Sequence, residues 1–85
     1  MNVNLHLYGS FRQLGLSQIT LDISADATVK DLRKSLEKYL IKEKSEISSN
    51  LIQASVFATN ESILNDYDQI VNGMSVAILP PVCGG

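Results

Sequence analysis

The sequence predicts one small α+β domain, a two-layer roll in which a single helix covers one face of a mixed sheet of four to five strands. Three observations point there. Two runs near the start alternate apolar and polar residues, an amphipathic stripe at helical spacing follows them, and further alternating runs continue to Leu79. At 85 residues, 45% hydrophobic and 19% charged, the chain has the composition of a globular fold with one marginal core. The domain is expected over 1–79, with residues 80–85 as an extended Pro-Pro-Val-Cys-Gly-Gly tail.

Val3, Leu5 and Leu7 alternate with Asn4, His6 and Tyr8, which predicts a first strand. Gly9 and Ser10 break it, and residues 9–17 read as a loop holding an apolar turn around Phe11 and Leu14. Ile19, Leu21 and Ile23 alternate with Gln18, Thr20 and Asp22, giving a second strand that pairs with the first as a hairpin. Thr28 followed three residues later by Asp31 predicts a capped helix start. Val29, Leu32, Leu36, Tyr39 and Leu40 then form one stripe over about 29–43, with Lys30, Lys34, Glu37 and Lys38 on the solvated side. Ser48-Ser49-Asn50 reads as a loop, and the alternation of Ile52, Ala54, Val56 and Ala58 predicts a third strand over 52–58. Ile63-Leu64 reads as a short fourth strand after a turn at 59–61, and Asn72-Gly73 as a tight turn. The last strand runs from Ser75 to Leu79, with Val76 and Ile78 on one face and Ala77 and Leu79 on the other. Pro80 lacks an N–H and stops it. The helical crossover lets the first and last strands lie side by side in parallel at the centre.

A formal charge of −2 argues against nucleic acid or membrane as a bulk partner, and one Cys with one His argues against a dedicated metal site. The missing secretory leader and the lack of an apolar run of about 18 residues point to the cytoplasm. The charge is unevenly spread. Residues 28–46 hold six of the seven basic groups and four acids, a local balance of +2. Residues 47–85 contain no Lys or Arg; their charges are Glu61, Asp66, Asp68 and the terminal carboxylate. The half that bears the tail therefore suits a basic groove, although charge asymmetry alone is not specific.

The tail is the most informative feature. Gly84 and Gly85 put no side chain beside the terminal carboxylate, so it can enter a narrow channel and expose its carbonyl carbon. Pro80 and Pro81 favour an extended segment, and six such residues reach about 20 Å. The expected reactive group is the carboxylate of Gly85 itself.

These features together resemble the ubiquitin-like β-grasp sulfur carriers of the MoaD/ThiS type, and within them the small subunits of molybdopterin synthase. The resemblance rests on Ile78-Leu79-Pro80-Pro81-Val82-Cys83-Gly84-Gly85, on Leu7-Tyr8-Gly9-Ser10-Phe11-Arg12-Gln13-Leu14-Gly15, on Thr28-Val29-Lys30-Asp31-Leu32 and on Val71-Asn72-Gly73-Met74-Ser75-Val76-Ala77. It departs from the family pattern in Ile78-Leu79, where Phe is common, and at Asn72 and Met74, where acids are usual; Ala58 stands where the family often has Asn. The resemblance implies that an ATP-dependent, ubiquitin-activating-like adenylyltransferase adenylates Gly85 and that a sulfur donor converts it to a thiocarboxylate. The tail would then deliver sulfur inside the synthase's large subunit to a cyclic pyranopterin precursor of molybdopterin. The chain would be a non-catalytic subunit of a hetero-oligomer, binding no cofactor itself; ATP is consumed by the activating partner. A thiamine-type sulfur carrier, a ubiquitin-like modifier of lysines and a plain interaction domain are the alternatives.

Tyr8, Ile63 and Leu79 are expected on the sheet face away from the helix as a partner-docking patch, with Arg12 beside it reaching the terminus or an acidic partner group. Cys83 reads as an incidental thiol and His6 as a lone strand residue, since nothing nearby activates either.

Overall fold

The computed structural model describes residues 1–81. Strands β1 (Asn2–Leu7) and β2 (Gln18–Asp22) form the expected antiparallel hairpin, with Val3 opposite Leu21 and Leu5 opposite Ile19. Helix α1 (Val29–Lys42) crosses one face of the sheet, followed by α2 (Ser49–Ala54), β3 (Val56–Ala58), β4 (Ile63–Leu64) and β5 (Ser75–Leu79). The spatial order is β2-β1-β5-β3-β4, with β1 and β5 parallel at the centre. This is the mixed-sheet, one-main-helix architecture of the ubiquitin-like β-grasp fold.

The alternation explains the core. Val3, Leu5, Leu7, Ile19, Leu21, Val76 and Ile78 face α1, whose Val29, Leu32, Leu36 and Leu40 close the layer. At its start, the Thr28 backbone N–H donates to the Asp31 carboxylate at 3.0 Å, completing the capping box. Two further N–H groups of the first turn, those of Val29 and Lys30, donate to the carbonyls of Asp68 and Asp66. The turn at 65–68 thus satisfies donors that a helix start leaves unpaired.

Two segments differ from expectation. Residues 9–17 are not plain loop: Gly9–Leu14 is a 3₁₀ helix that buries Phe11 completely. The strand expected over 52–58, and the loop at 48–50, are instead α2 followed by a three-residue strand. The Ser48 hydroxyl accepts from the Leu51 N–H as a helix cap, and the Ser55 hydroxyl donates back to the Leu51 carbonyl at 2.6 Å. The period-two run misleads because only Ile52 in it is buried. Phe57, in the opposite phase, is the inward residue of β3, so Val56 turns outward.

Arg33 joins these pieces. It is 9% exposed, and one guanidinium nitrogen donates to the carbonyls of Ile52 and Ser55 at 2.7 and 2.6 Å. Its Nε donates to Asp66 at 2.9 Å, and the group lies 5.0 Å from the centre of the Phe57 ring.

Candidate functional site

The candidate site is built where β5 ends. Direct pairing sets which side chains share a face of the sheet. Val56 pairs with Leu79, Ala58 with both Ala77 and Ile63, and His6 with Ala77. Since Phe57 and Ile78 point to the core, this set points away from α1. Tyr8 follows Leu7, the partner of Ile78, and so lies alongside Leu79. The structure therefore brings Tyr8, Ile63 and Leu79 to the outer face as the sequence indicates, and adds Val56. Ile63 is 67% exposed, Tyr8 43% and Val56 38%, while Leu79 is half-buried between neighbouring strands. Across β1 and β2 the same face is polar, carrying Asn4, His6, Gln18 and Thr20. The apolar portion is thus confined to the half of the sheet from which the tail departs.

Arg12 is exposed on the 3₁₀ helix beside Tyr8. Its Nε donates to the Leu7 carbonyl at 3.1 Å, and its guanidinium lies 5.7 Å from the Tyr8 ring centre. Among the described residues no carboxylate forms a salt bridge with it. The remaining guanidinium donors are available to an anionic group, and the Tyr8 contact fixes where they are offered.

Pro80 is half-buried at the edge of this patch and Pro81 is exposed. The tail residues Gly84 and Gly85, with Val82 and Cys83, lie outside the described residues. Beside the patch, His6, Tyr8, Asn60, Ser75 and Ala77 line a shallow groove of about 330 Å³, which makes the border of the apolar area polar. Among the described residues, no group of three or more His, Cys, Asp or Glu is placed to hold a metal ion, and no helix is long and apolar enough to cross a membrane.

Sequence reasoning missed Val56 because it followed the phase of Ile52; the signal available was Phe57, the largest apolar residue of the segment, in the other phase. It also passed over Gly9, whose surroundings are visible only in three dimensions.

Comparison with known proteins agrees with this fold. A structure from Pyrococcus furiosus, described as a candidate molybdopterin converting factor, subunit 1, superposes with a TM-score of 0.73 at 24% identity, over 95% of this chain and 98% of that one. The small archaeal modifier protein SAMP1 from Haloferax volcanii superposes with a TM-score of 0.70 at 20% identity, over the whole of both chains. The UBL domain of Plasmodium falciparum Dsk2 does so with a TM-score of 0.60 at 21% identity, over 95% and 97%. No curated protein matches the sequence. The family model that matches is that of the ThiS family, and it spans residues 5–85, from the middle of β1 through the two tail glycines. With the main helix, the tail and all of the β-grasp sheet but the start of β1 inside that span, the chain belongs to the ThiS family.

Proposed function

We propose that the chain is a sulfur carrier, the small subunit of a molybdopterin synthase. The observation that carries this reading is the apolar patch of Tyr8, Val56, Ile63 and Leu79 beside Pro80, at the root of a tail that the family match follows to Gly85. A tail that must enter a partner's site needs a docking surface where it leaves the body, and this patch is in that place. Tyr8, Ile63 and Leu79, with Val56, hold the partner; Arg12 meets an acidic group of the partner or the terminus; Pro80 and Pro81 space the tail; Gly84 and Gly85 enter the channel.

The chemistry belongs to the last carbon. A Gly85 carboxylate oxygen attacks the α-phosphate of ATP in an ubiquitin-activating-like adenylyltransferase, and pyrophosphate leaves. The terminal sulfur of a persulfide donor attacks the acyl carbon and AMP leaves. A thiol then cleaves the acyl disulfide, being oxidised as the thiocarboxylate is released. The large subunit supplies the acids and bases that pass this sulfur to the pyranopterin precursor. Adenylation is required because a carboxylate oxygen is a poor leaving group until it is part of a mixed anhydride.

The test is reconstitution with ATP, the activating enzyme, a sulfur donor and the large subunit, reading molybdopterin formation. Product that depends on Gly85 supports the reading. A thiocarboxylate that instead feeds a co-purifying thiazole synthase makes the chain a thiamine-type carrier. The likeness to SAMP1 favours one further reading, a protein modifier, whose mark is isopeptide conjugates dependent on Gly85.

A further inference from the structure

The root of the tail contains a contact that the docking patch does not explain. Gly9 has φ +56°, and a methyl group on its α carbon would lie 2.6 Å from Pro80 Cγ and 3.4 Å from Pro80 Cδ. The Pro80 ring therefore sits directly on the Gly9 backbone, in space that every other residue type would fill. Pro80 and Pro81 have no N–H, so the β5 ladder cannot carry the chain's direction past Leu79. The turn below the ring is held at several points: the Phe11 N–H donates to the Tyr8 carbonyl, the Phe11 side chain is buried in the core, and Arg12 Nε donates to the Leu7 carbonyl. A fixed turn pressed against a ring of fixed φ sets the angle at which the next residue departs.

We propose that Gly9 and Pro80 form a seat that aims the C-terminal tail, which makes Gly9 a positioning residue for delivery of the Gly85 carboxylate. The inference rests on the sulfur-carrier reading for its purpose and on the Gly9–Pro80 contact for its geometry. Gly15 supplies the control. It caps the C-terminus of the same 3₁₀ helix at φ +79°, yet a methyl group there would meet nothing within 4 Å. Gly15→Ala therefore carries the backbone strain without the clash.

The experiment measures kcat/KM for ATP–pyrophosphate exchange by the activating enzyme on five proteins: wild type, Gly9→Ala, Gly15→Ala, Pro80→Gly and the Gly9→Ala/Pro80→Gly double variant. Nuclear Overhauser contacts between the Gly9 α protons and the Pro80 ring are read in the wild type. The seat predicts those contacts and a roughly ten- to hundredfold loss in Gly9→Ala. It also predicts a near wild-type value for Gly15→Ala, and no further loss when Gly9→Ala is added to Pro80→Gly. Equal values for Gly9→Ala and Gly15→Ala overturn it, as does the same Gly9→Ala penalty in both Pro80 backgrounds. If Gly9→Ala alone does not fold, or the wild type supports no exchange at all, the wild-type Overhauser contacts decide: their presence upholds the seat and their absence overturns it. Loss of exchange in the wild type itself counts against the carrier reading instead.

Discussion

Arg33 shows how much of this fold depends on one side chain that its neighbours disguise. It sits in a helix rich in solvated lysines, yet it is buried and holds the carbonyls of Ile52 and Ser55 together with the Asp66 carboxylate. Replacing it leaves two carbonyls without their donor in a buried place. Arg33→Met is expected to cost about 3 kcal/mol in denaturant unfolding, with Asp66, half-exposed, contributing little to that loss. In the first turn of the same helix, on the solvated side, Asp31 makes a pH-dependent contribution. The Thr28 backbone N–H bond is the largest cause of its pKa lying below the ordinary 3.8; the Thr28 hydroxyl, Lys34 and Lys30 add to it, and desolvation opposes it. A carboxylate depressed in the folded state stabilises fully above its unfolded value and loses that effect as pH falls through the folded value. Thermal midpoints of wild type and Asp31→Asn are thus expected to differ most above pH 3.8 and to converge below the lowered folded pKa.

At the scale of elements, the strands of the hairpin and the main helix were legible from periodic signals, the capping box from Thr28 and Asp31, and the parallel central pair from the helical crossover between its two strands. Val3-Leu5-Leu7 and Val76-Ile78 repeat every second residue, and Val29-Leu32-Leu36-Leu40 every third or fourth. The segment over 48–58 was not legible, because α2 is six residues long and β3 is three. Neither completes a second period, so local spacing gives way to tertiary demand: the Ser48 cap, the Ser55 hydroxyl and the Arg33 clamp select a helical turn. Ile52 is the anchor of that turn. Ile52→Ala is expected to cost about 2–5 kcal/mol by denaturant titration, whereas Gln53→Ala, at an exposed position of the same turn, is expected to change stability by less than about 0.5 kcal/mol. The apolar patch was legible in part: Tyr8, Ile63 and Leu79 follow from strand parity, and Val56 required the true phase of β3.

At the scale of the molecule, one sheet face is committed to the core and the other is divided into a polar half and an apolar half. The apolar half lies at the exit of the tail, and the tail-bearing part of the sequence carries only negative charge. A partner with an apolar ledge and a basic channel fits both features. Ile63 projects into solvent from a two-residue edge strand, so Ile63→Asp is expected to keep the fold while abolishing co-purification with the large subunit. Gln18→Asp, on the polar half of the same face, is expected to leave co-purification intact. Equal binding by wild type and Ile63→Asp would remove the patch from the interface.

Sulfur loading changes a single acyl carbon, and intact-protein mass spectrometry reads it directly after incubation with ATP, the activating enzyme and a sulfur donor. Exchange of one oxygen for one sulfur at Gly85, absent from a chain truncated before that residue, is the predicted result. An unchanged mass under conditions in which the same enzyme and donor load another carrier of the family would contradict it.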